Sequence, residues 1–169
     1  MNKKIINKLY WIFWCSTTIL TGILAGFMIS HSIMFGRFFT WFIESGNVDL
    51  LRSTYSVFRP LNESYDALYD YFLLFALISG IIWVVLALIL KRDRIIATIA
   101  GLATVWVSVI FFGTGFDEVE EAVLSGIADE TTMQLFASLN VPIHTSFAII
   151  YTVSFLLLLI VALKKGKSY

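Results

Sequence analysis

The chain has 169 residues, of which 59% are hydrophobic and only 14% are charged. Soluble domains contain about 25% charged residues, and a soluble fold of this size could not bury so much apolar surface. The formal net charge is zero because equal numbers of acidic and basic residues cancel. The composition therefore excludes an ordinary soluble domain and indicates a single membrane domain over residues 1–169.

Basic and acidic residues occupy different stretches of the chain, and long apolar segments separate them. Nine basic residues and one acid lie near residues 3–8, 91–94 and 164–167, whereas three basic residues and eleven acids lie near 37–70 and 117–130. Because basic residues are retained on the cytoplasmic side, this pattern places both termini and the 91–94 segment in the cytoplasm. The sequence therefore predicts a multi-pass protein of the cell membrane.

The first half of the chain predicts two crossings joined by an outer segment. The apolar run Tyr10–Ile43 would be about 50 Å long as a helix, against a hydrocarbon core of about 30 Å, so it must tilt or project outward. We place the first crossing at about 10–36. Residues 48–59 predict a short amphipathic helix that ends at Pro60. Asn62 suits the N-cap of the next helix, which crosses the membrane at about 71–90.

The second half predicts two further crossings. After a tight turn at 91–94, residues 95–112 form the third crossing, followed by an amphipathic helix over 116–127 and a short helical piece over 132–139. Asn140-Val141-Pro142 predicts a turn into the last crossing, at about 144–163. The predicted fold is all-α: an integral membrane four-helix bundle with short amphipathic helices forming an extracytoplasmic cap over about 37–70 and 114–143.

Both histidines of the chain fall at similar depth in the predicted bundle. His31 lies on the outer third of the first crossing, and His144 begins the last crossing at the outer end. Ionisable residues in membrane segments are costly, so the pair is a candidate catalytic or metal-binding site. The alternative is a neutral His31 bonded to a neighbouring helix and an interfacial His144. Arg37, about one and a half turns beyond His31, could hold an anion or a polar substrate edge at the mouth of the bundle, and the alternative is an ion pair with one of the nearby carboxylates.

Acidic residues suggest a metal site near the histidines. Glu63, Asp66 and Asp70 are spaced i, i+3, i+7, so they share one helix face. Together with His31 and His144, they could bind a divalent cation. The alternative is that these acids face water and complement the helix dipole. The cofactor stays open, since haem and a divalent metal are both compatible with the histidines.

Small and large apolar residues surround His31 in sequence. Thr18, Gly22, Gly26 and Ser30 recur at four-residue spacing, which allows close helix packing within the chain, with other membrane subunits or with a second copy. The apolar neighbours of His31 predict core packing or the wall of a pocket for a flat apolar ligand. These neighbours are Phe27, Met28, Met34, Phe35 and Phe38.

Three classes of function remain open. The first is a membrane oxidoreductase acting on an apolar substrate, or a ligand- or cofactor-binding protein, with its site at the outer end of the bundle. The second is a non-catalytic subunit or assembly factor of a larger membrane complex. The third is a small transporter, which the lack of charged helix centres disfavours. Apart from the lipid bilayer, no partner is specified, and nothing in the sequence indicates nucleic-acid binding.

Two segments resemble a known family. Leu24-Ala25-Gly26-Phe27-Met28, followed by Met34 and Arg37, is similar to the opening of a broad family of small four-helix membrane proteins that includes the fungal anthrone oxygenases. Leu139-Asn140-Val141-Pro142-Ile143-His144 resembles an Asn-Val-Pro element of that family. The resemblance implies oxygenation of a flat, apolar aromatic without a bound cofactor. It also implies catalytic roles for His31, Arg37, Asn140 and His144.

Overall fold

The computed structural model describes residues 3–58 and 63–166, except for the side chains of 56, 58, 63–67, 165 and 166. Every regular element in these ranges is a helix, so the all-α prediction is confirmed for them. The elements are α1 (Lys3–Ser30), a π-helical turn (His31–Phe35), α2 (Gly36–Glu44), α3 (Val48–Phe58), α4 (Glu63–Leu90), α5 (Arg94–Gly101), α6 (Ala103–Gly113), α7 (Phe116–Leu124) and α8 (Glu130–Gly166).

Three helical runs within the described ranges are long and apolar enough to cross a membrane: Lys3–Glu44, Leu68–Leu90 and Glu130–Lys164. The pair α5 and α6 would make a fourth if both helices belong to one broken span. Large apolar side chains are exposed along the outside of these helices, among them Leu88, Ile95 and Phe112. Such surfaces are compatible with contact with a lipid bilayer.

The first helical run is longer than the predicted crossing. It passes through the π-helical turn His31–Phe35 and continues in α2 to Glu44, and only then reaches a turn at Gly46. Gly46 has a φ of +75°, which favours glycine and ends the helix. The predicted amphipathic helix over 48–59 corresponds to α3. Arg59, Pro60 and Asn62, on which its end and the next N-cap depend, lie outside the described residues.

The predicted third crossing is broken rather than continuous. Helices α5 and α6 bend by 40° where they meet, and Leu102 between them has φ −99° and ψ 18°. Just before the break, Gly101 packs on Gly80 of α4 so closely that a Cβ on Gly80 would overlap the carbonyl oxygen of Gly101. The two glycines therefore bring the backbones of α4 and α5 together at this point.

Helix α8 passes through Pro142 without the predicted turn. The separate helix over 132–139 and the turn at 140–142 are instead parts of one helix that runs from Glu130 to Gly166. Proline removes only the one backbone hydrogen bond that its own N–H would donate. The helix continues beyond it, where the hydroxyl of Thr145 donates to the carbonyl of Val141 at 2.7 Å and that of Ser146 to the carbonyl of Pro142 at 3.0 Å. An apolar environment offers the backbone no better partner than the helix, so the helix persists.

The turn predicted between α4 and α5 is present, whereas α7 ends three residues before the predicted end at residue 127. Lys91 and Asp93 both adopt left-handed conformations, with φ of 54° and 49°, and form the tight turn predicted between α4 and α5. Helix α7 ends at Leu124, and Gly126 follows with φ +77°. The guanidinium of Arg52 on α3 donates to the carbonyl of Ala128, which connects α3 to the turn before α8.

The core has two buried clusters. One contains Leu24, Met28, Phe116, Phe136 and Tyr151, and lies towards His31. The other contains Tyr10, Trp83, Ala97, Leu158 and Val161, and lies towards the 91–94 turn. We call these two regions the histidine end and the basic end. Helix α1 packs against α4 and α8 along both, and α5 packs against α4 and α8 at the basic end.

Candidate functional site

A cavity of about 410 Å³ opens at the histidine end and contains the side chains of both histidines. Residues of α1, the π-helical turn, α4, α6, α7 and α8 line it, and we call it the histidine cavity. Its wall is mostly apolar and includes Phe27, Leu74, Val107, Phe111 and Phe147; its polar members include His31, Tyr69, Asp70, Glu120 and His144. Apolar walls with a few convergent polar groups are typical of small-molecule sites.

The imidazole rings of His31 and His144 stack against each other in this wall. Their centroids are 3.8 Å apart and their planes differ by 22°. Two protonated imidazoles at this separation would repel by about 4 kcal/mol at an effective dielectric constant of 20. The two rings are therefore expected to share no more than one extra proton.

The backbone orients the ring of His144. Its Nδ1 lies 2.9 Å from the carbonyl oxygen of Asn140, and since a carbonyl only accepts, Nδ1 must carry the proton. In the neutral ring Nε2 then has a free lone pair. This nitrogen lies 3.9 Å from a carboxylate oxygen of Glu120. His144 is buried, with 6% of its surface exposed, and its polar neighbours are the Asn140 carbonyl, the Glu120 carboxylate and the stacked ring of His31.

A local change of helix type presents His31 to the cavity. The π-helical turn His31–Phe35 closes with a hydrogen bond from the Gly36 N–H to the His31 carbonyl. Such turns occur frequently at functional sites because they rotate side chains relative to the helix on either side. The Nε2 atom of His31 is buried and makes no hydrogen bond of normal geometry with a described residue, and the side chain of Asn140 is a close polar neighbour of the His31 ring.

Asn140 supports the site from behind rather than lining it. Its side chain is fully buried, and its amide Nδ2 donates to the carbonyl oxygen of Gly36 at 2.9 Å. A Cβ on Gly36 would lie 3.4 Å from the His31 ring and 3.6 Å from that amide nitrogen. Asn140 therefore connects α8 to the end of the π-helical turn, next to His31. A second polar contact, 2.7 Å between the hydroxyls of Ser32 and Thr145, joins the same two segments.

Sequence reasoning did not identify Glu120 as a site residue, because it belongs to an acidic run attributed to the cap. The available signal was its register on α7. Glu120 shares a helix face with Phe116 and Val123, at spacings i+4 and i+3, and both of these residues are buried. An acid on the apolar face of an amphipathic helix is the feature that distinguishes it from Glu118, which is exposed.

The other residues predicted around His31 are divided between the cavity wall and the protein surface. Arg37 is exposed and is not among the described residues that line the cavity. Phe27 and Met28 belong to the wall as predicted, and the hydroxyl of Tyr69 lies 3.9 Å from the sulfur of Met28. The other three aromatic and methionine neighbours of His31, more than half exposed, point away from the core: Met34, Phe35 and Phe38.

The predicted metal site cannot be assembled from the side chains that the structure describes. Asp70 lines the cavity, but the side chains of Glu63 and Asp66 lie outside the described set. Within the described part of the chain, no group of three or more His, Cys, Asp or Glu side chains is arranged to hold a metal ion. A site that includes Glu63 and Asp66 stays a prediction.

The small-residue run of α1 is partly used inside the chain. A Cβ on Gly22 would lie 2.9 Å from the ring of Phe155 on α8, so Gly22 packs within the protein. Gly26 has open space where its Cβ would be. The run therefore supports the contact between α1 and α8 at Gly22, whereas Gly26 and Ser30 are exposed and leave a surface open to another molecule.

The arrangement has the parts needed for proton transfer in an apolar site. Nε2 of His144 can accept a proton, Glu120 can stabilise the imidazolium that results, and the stacked His31 offers a second nitrogen next to the first. The apolar wall provides flat surfaces, including the rings of Phe27 and Tyr69, whose centroids are 4.5 Å apart. No protein-family model, curated protein or solved structure matches this chain.

Proposed function

We propose that this chain is a membrane oxidoreductase that binds a flat, apolar small molecule in the histidine cavity and begins its oxidation by removing a proton. The observation that carries the proposal is the stacked His31–His144 pair in the wall of an otherwise mostly apolar cavity. Two ionisable rings are costly to bury in such surroundings, which favours a role in chemistry over one in packing.

Each residue has a distinct role in this proposal. His144 is the base, since its Nδ1–H is held by the Asn140 carbonyl and its Nε2 lone pair stays available. Glu120 stabilises the protonated ring across 3.9 Å. His31 lies against His144 and contacts the substrate at the cavity surface. Asn140 is a positioning residue because it is bonded to Gly36 and does not line the cavity.

The substrate class follows from the wall and from the resemblance to anthrone oxygenases. Flat aromatic molecules with a methylene group in the same ring as a carbonyl, and conjugated with it through fused aromatic rings once deprotonated, have a weakly acidic C–H, which a histidine base can remove. In the proposed reaction the methylene carbon loses two hydrogens and gains one oxygen atom from dioxygen. The second oxygen atom leaves as water with those two hydrogens, so the substrate supplies the electrons.

The membrane arrangement is part of the proposal. The three long apolar runs and the bent α5–α6 pair would make four crossings, with α3 and α7 forming a cap at the histidine end. Both termini and the 91–94 turn would then be cytoplasmic, as the positions of the basic residues favour. The histidine cavity would lie near the outer surface of the membrane, where an apolar substrate can enter from the lipid.

Anthrone tests the proposal because it has the required flat shape and acidic methylene. With the full chain purified in detergent, we expect faster oxygen uptake and faster formation of anthraquinone than in protein-free detergent. The His144→Ala variant should lose about 100-fold of this acceleration, and His31→Ala should also lose activity. Met34→Ala is the matched control, since Met34 belongs to the same π-helical turn and is 63% exposed.

The outcomes separate the classes of function. Binding of anthrone without oxidation would contradict the enzyme and support a ligand-binding protein. Equal activity of wild type and His144→Ala would rule out the proposed base. A visible absorption spectrum and metal analysis of the purified protein would identify a haem or metal that acts in place of the base.

A further inference from the structure

The basic end of the molecule has an open groove that is separate from the histidine cavity. It has a volume of about 740 Å³ and lies between the α4–α5 turn, α5 and the last turns of α8. Three cations line it, Lys91, Arg94 and Lys164, and all three are exposed. We call this feature the basic groove.

Asp93, the acid at the basic groove, is already neutralised by other groups. Its carboxylate accepts hydrogen bonds from the Tyr10 hydroxyl at 2.9 Å and from Nε of Arg92 at 3.1 Å. Arg92 is directed away from the groove, because its guanidinium lies over the rings of Tyr10 and Trp11, 5.3 and 4.7 Å from their centroids. Arg92 and Asp93 therefore belong to one internal cluster.

The three groove cations have no such neutralisation. Within the described part of the chain, no carboxylate lies within ion-pair distance of Lys91, Arg94 or Lys164. The α4–α5 turn places the first two on the groove by its left-handed residues Lys91 and Asp93, and α8 adds the third from a separate element. Like charges brought together from two elements repel each other, and a bound anion would relieve this repulsion.

The rest of the groove is apolar. Leu88, Ile95 and Ile99 line it, and Ile95 is 77% exposed and Leu88 50% exposed. Leu88 belongs to α4, which is long and apolar enough to cross a membrane, and Ile95 and Ile99 belong to α5, which would form a further span together with α6. A ligand that contacts both the cations and the apolar side chains of the groove must therefore have an anionic group and a hydrocarbon chain.

We propose that the basic groove binds an anionic phospholipid, with the phosphate between Lys91, Arg94 and Lys164 and an acyl chain along Ile95 and Ile99. Free phosphate offers the same charge but nothing to cover the apolar side chains. Basic clusters at the cytoplasmic ends of membrane helices commonly recognise anionic lipid headgroups. This inference does not depend on the reaction proposed for the histidine cavity.

Native mass spectrometry of the full chain in detergent tests the proposal, with phosphatidylglycerol and phosphatidylcholine as probes of equal acyl chains. We expect preferential binding of phosphatidylglycerol that weakens with salt. Each of the variants Lys91→Gln, Arg94→Gln and Lys164→Gln should weaken it about fivefold. The triple variant should abolish the preference for phosphatidylglycerol.

The matched control removes three cations at the same end of the molecule but outside the groove, with Lys3→Gln, Lys4→Gln and Lys8→Gln combined. It should keep the preference for phosphatidylglycerol. Equal losses in the control and the groove variant would overturn the proposal, as would equal binding of both lipids by the wild type. Displacement of the lipid by inorganic phosphate at similar concentration would show a simple anion site and would also overturn it. Thermal unfolding shows whether each variant is folded, and the single variants decide the question if the triple variant is not.

Discussion

Glu120 places a carboxylate oxygen 3.9 Å from Nε2 of His144, the ring nitrogen that faces away from the Asn140 carbonyl. The imidazole is thus held between a backbone acceptor on one side and an acid on the other. A protonated His144 would be stabilised from both directions. The same arrangement leaves the neutral ring able to accept a proton at Nε2 only, which defines where a substrate proton must arrive.

The first prediction concerns this acid. Glu120→Gln keeps the size of the side chain and removes its charge, so we expect about a tenfold or greater loss in the rate of anthrone oxidation with little change in substrate binding. Glu118→Gln is the control, because Glu118 lies on the same helix and is exposed. Steady-state rates over a range of anthrone concentrations separate the two effects. Unchanged turnover in Glu120→Gln would remove Glu120 from the mechanism.

The second prediction concerns Asn140. Leucine has a volume similar to that of asparagine, but it cannot donate the hydrogen bond that Asn140 makes to the carbonyl oxygen of Gly36. We expect the free energy of unfolding to fall by about 1–3 kcal/mol, measured by denaturant titration in mixed micelles. The control is Gln134→Leu, a polar and exposed position on the same helix. Equal stability of the two variants would show that the bond between α8 and Gly36 contributes nothing.

The third prediction uses two glycines with opposite surroundings. A methyl group on Gly80 would overlap the backbone of Gly101, whereas one on Gly26 has nothing within 4 Å. Gly80→Ala should therefore destabilise the protein by about 1–3 kcal/mol, because α4 and α5 must move apart. Gly26→Ala should leave the stability unchanged or slightly raise it. Thermal unfolding in one detergent compares the pair, and the opposite order would contradict the close packing of α4 on α5.

The fourth prediction concerns the start of α8. The Thr132 side chain and backbone N–H donate to the Asp129 carboxylate, which lowers the pKa of Asp129; the N–H contact is 2.7 Å. A lowered pKa means that the stabilisation is present at neutral pH and is lost as the pH falls through that pKa. Asp129→Ala should therefore reduce amide-exchange protection over residues 130–133 at neutral pH but not in acid.

Glu130→Ala is the control for that measurement. It removes a neighbouring charge in the first turn of α8 but keeps the hydrogen bond from Thr132 to Asp129. Its effect on protection at residues 130–133 should be smaller than that of Asp129→Ala. If the difference in amide-exchange protection between Asp129→Ala and the wild type persists unchanged at acid pH, the ionised Asp129 carboxylate does not stabilise the first turn of α8.

Local features were predictable where neighbouring residues decide the conformation. The α4–α5 turn and α3 follow from charge, glycine and helical periodicity within short windows. The turn predicted at Pro142 was wrong. Proline is disfavoured inside a helix by a local rule, but packing and backbone hydrogen bonding keep α8 continuous. The bend at Leu102 was not predicted, because a single glycine, Gly101, is only a weak local signal for a break in a helix. The bend coincides with the close contact between Gly101 and Gly80, which lies far from it in sequence.

The amino-acid sequence by itself determined the helical class, the apolar lengths and the segregation of charge, since these depend on composition along the chain. It also singled out His31 and His144. Only the tertiary structure decided that their rings stack, that Glu120 faces them and that Arg37 does not. The reason is that the rotation of each helix about its axis is set by side-chain packing and by the π-helical turn, and neither is encoded in hydropathy.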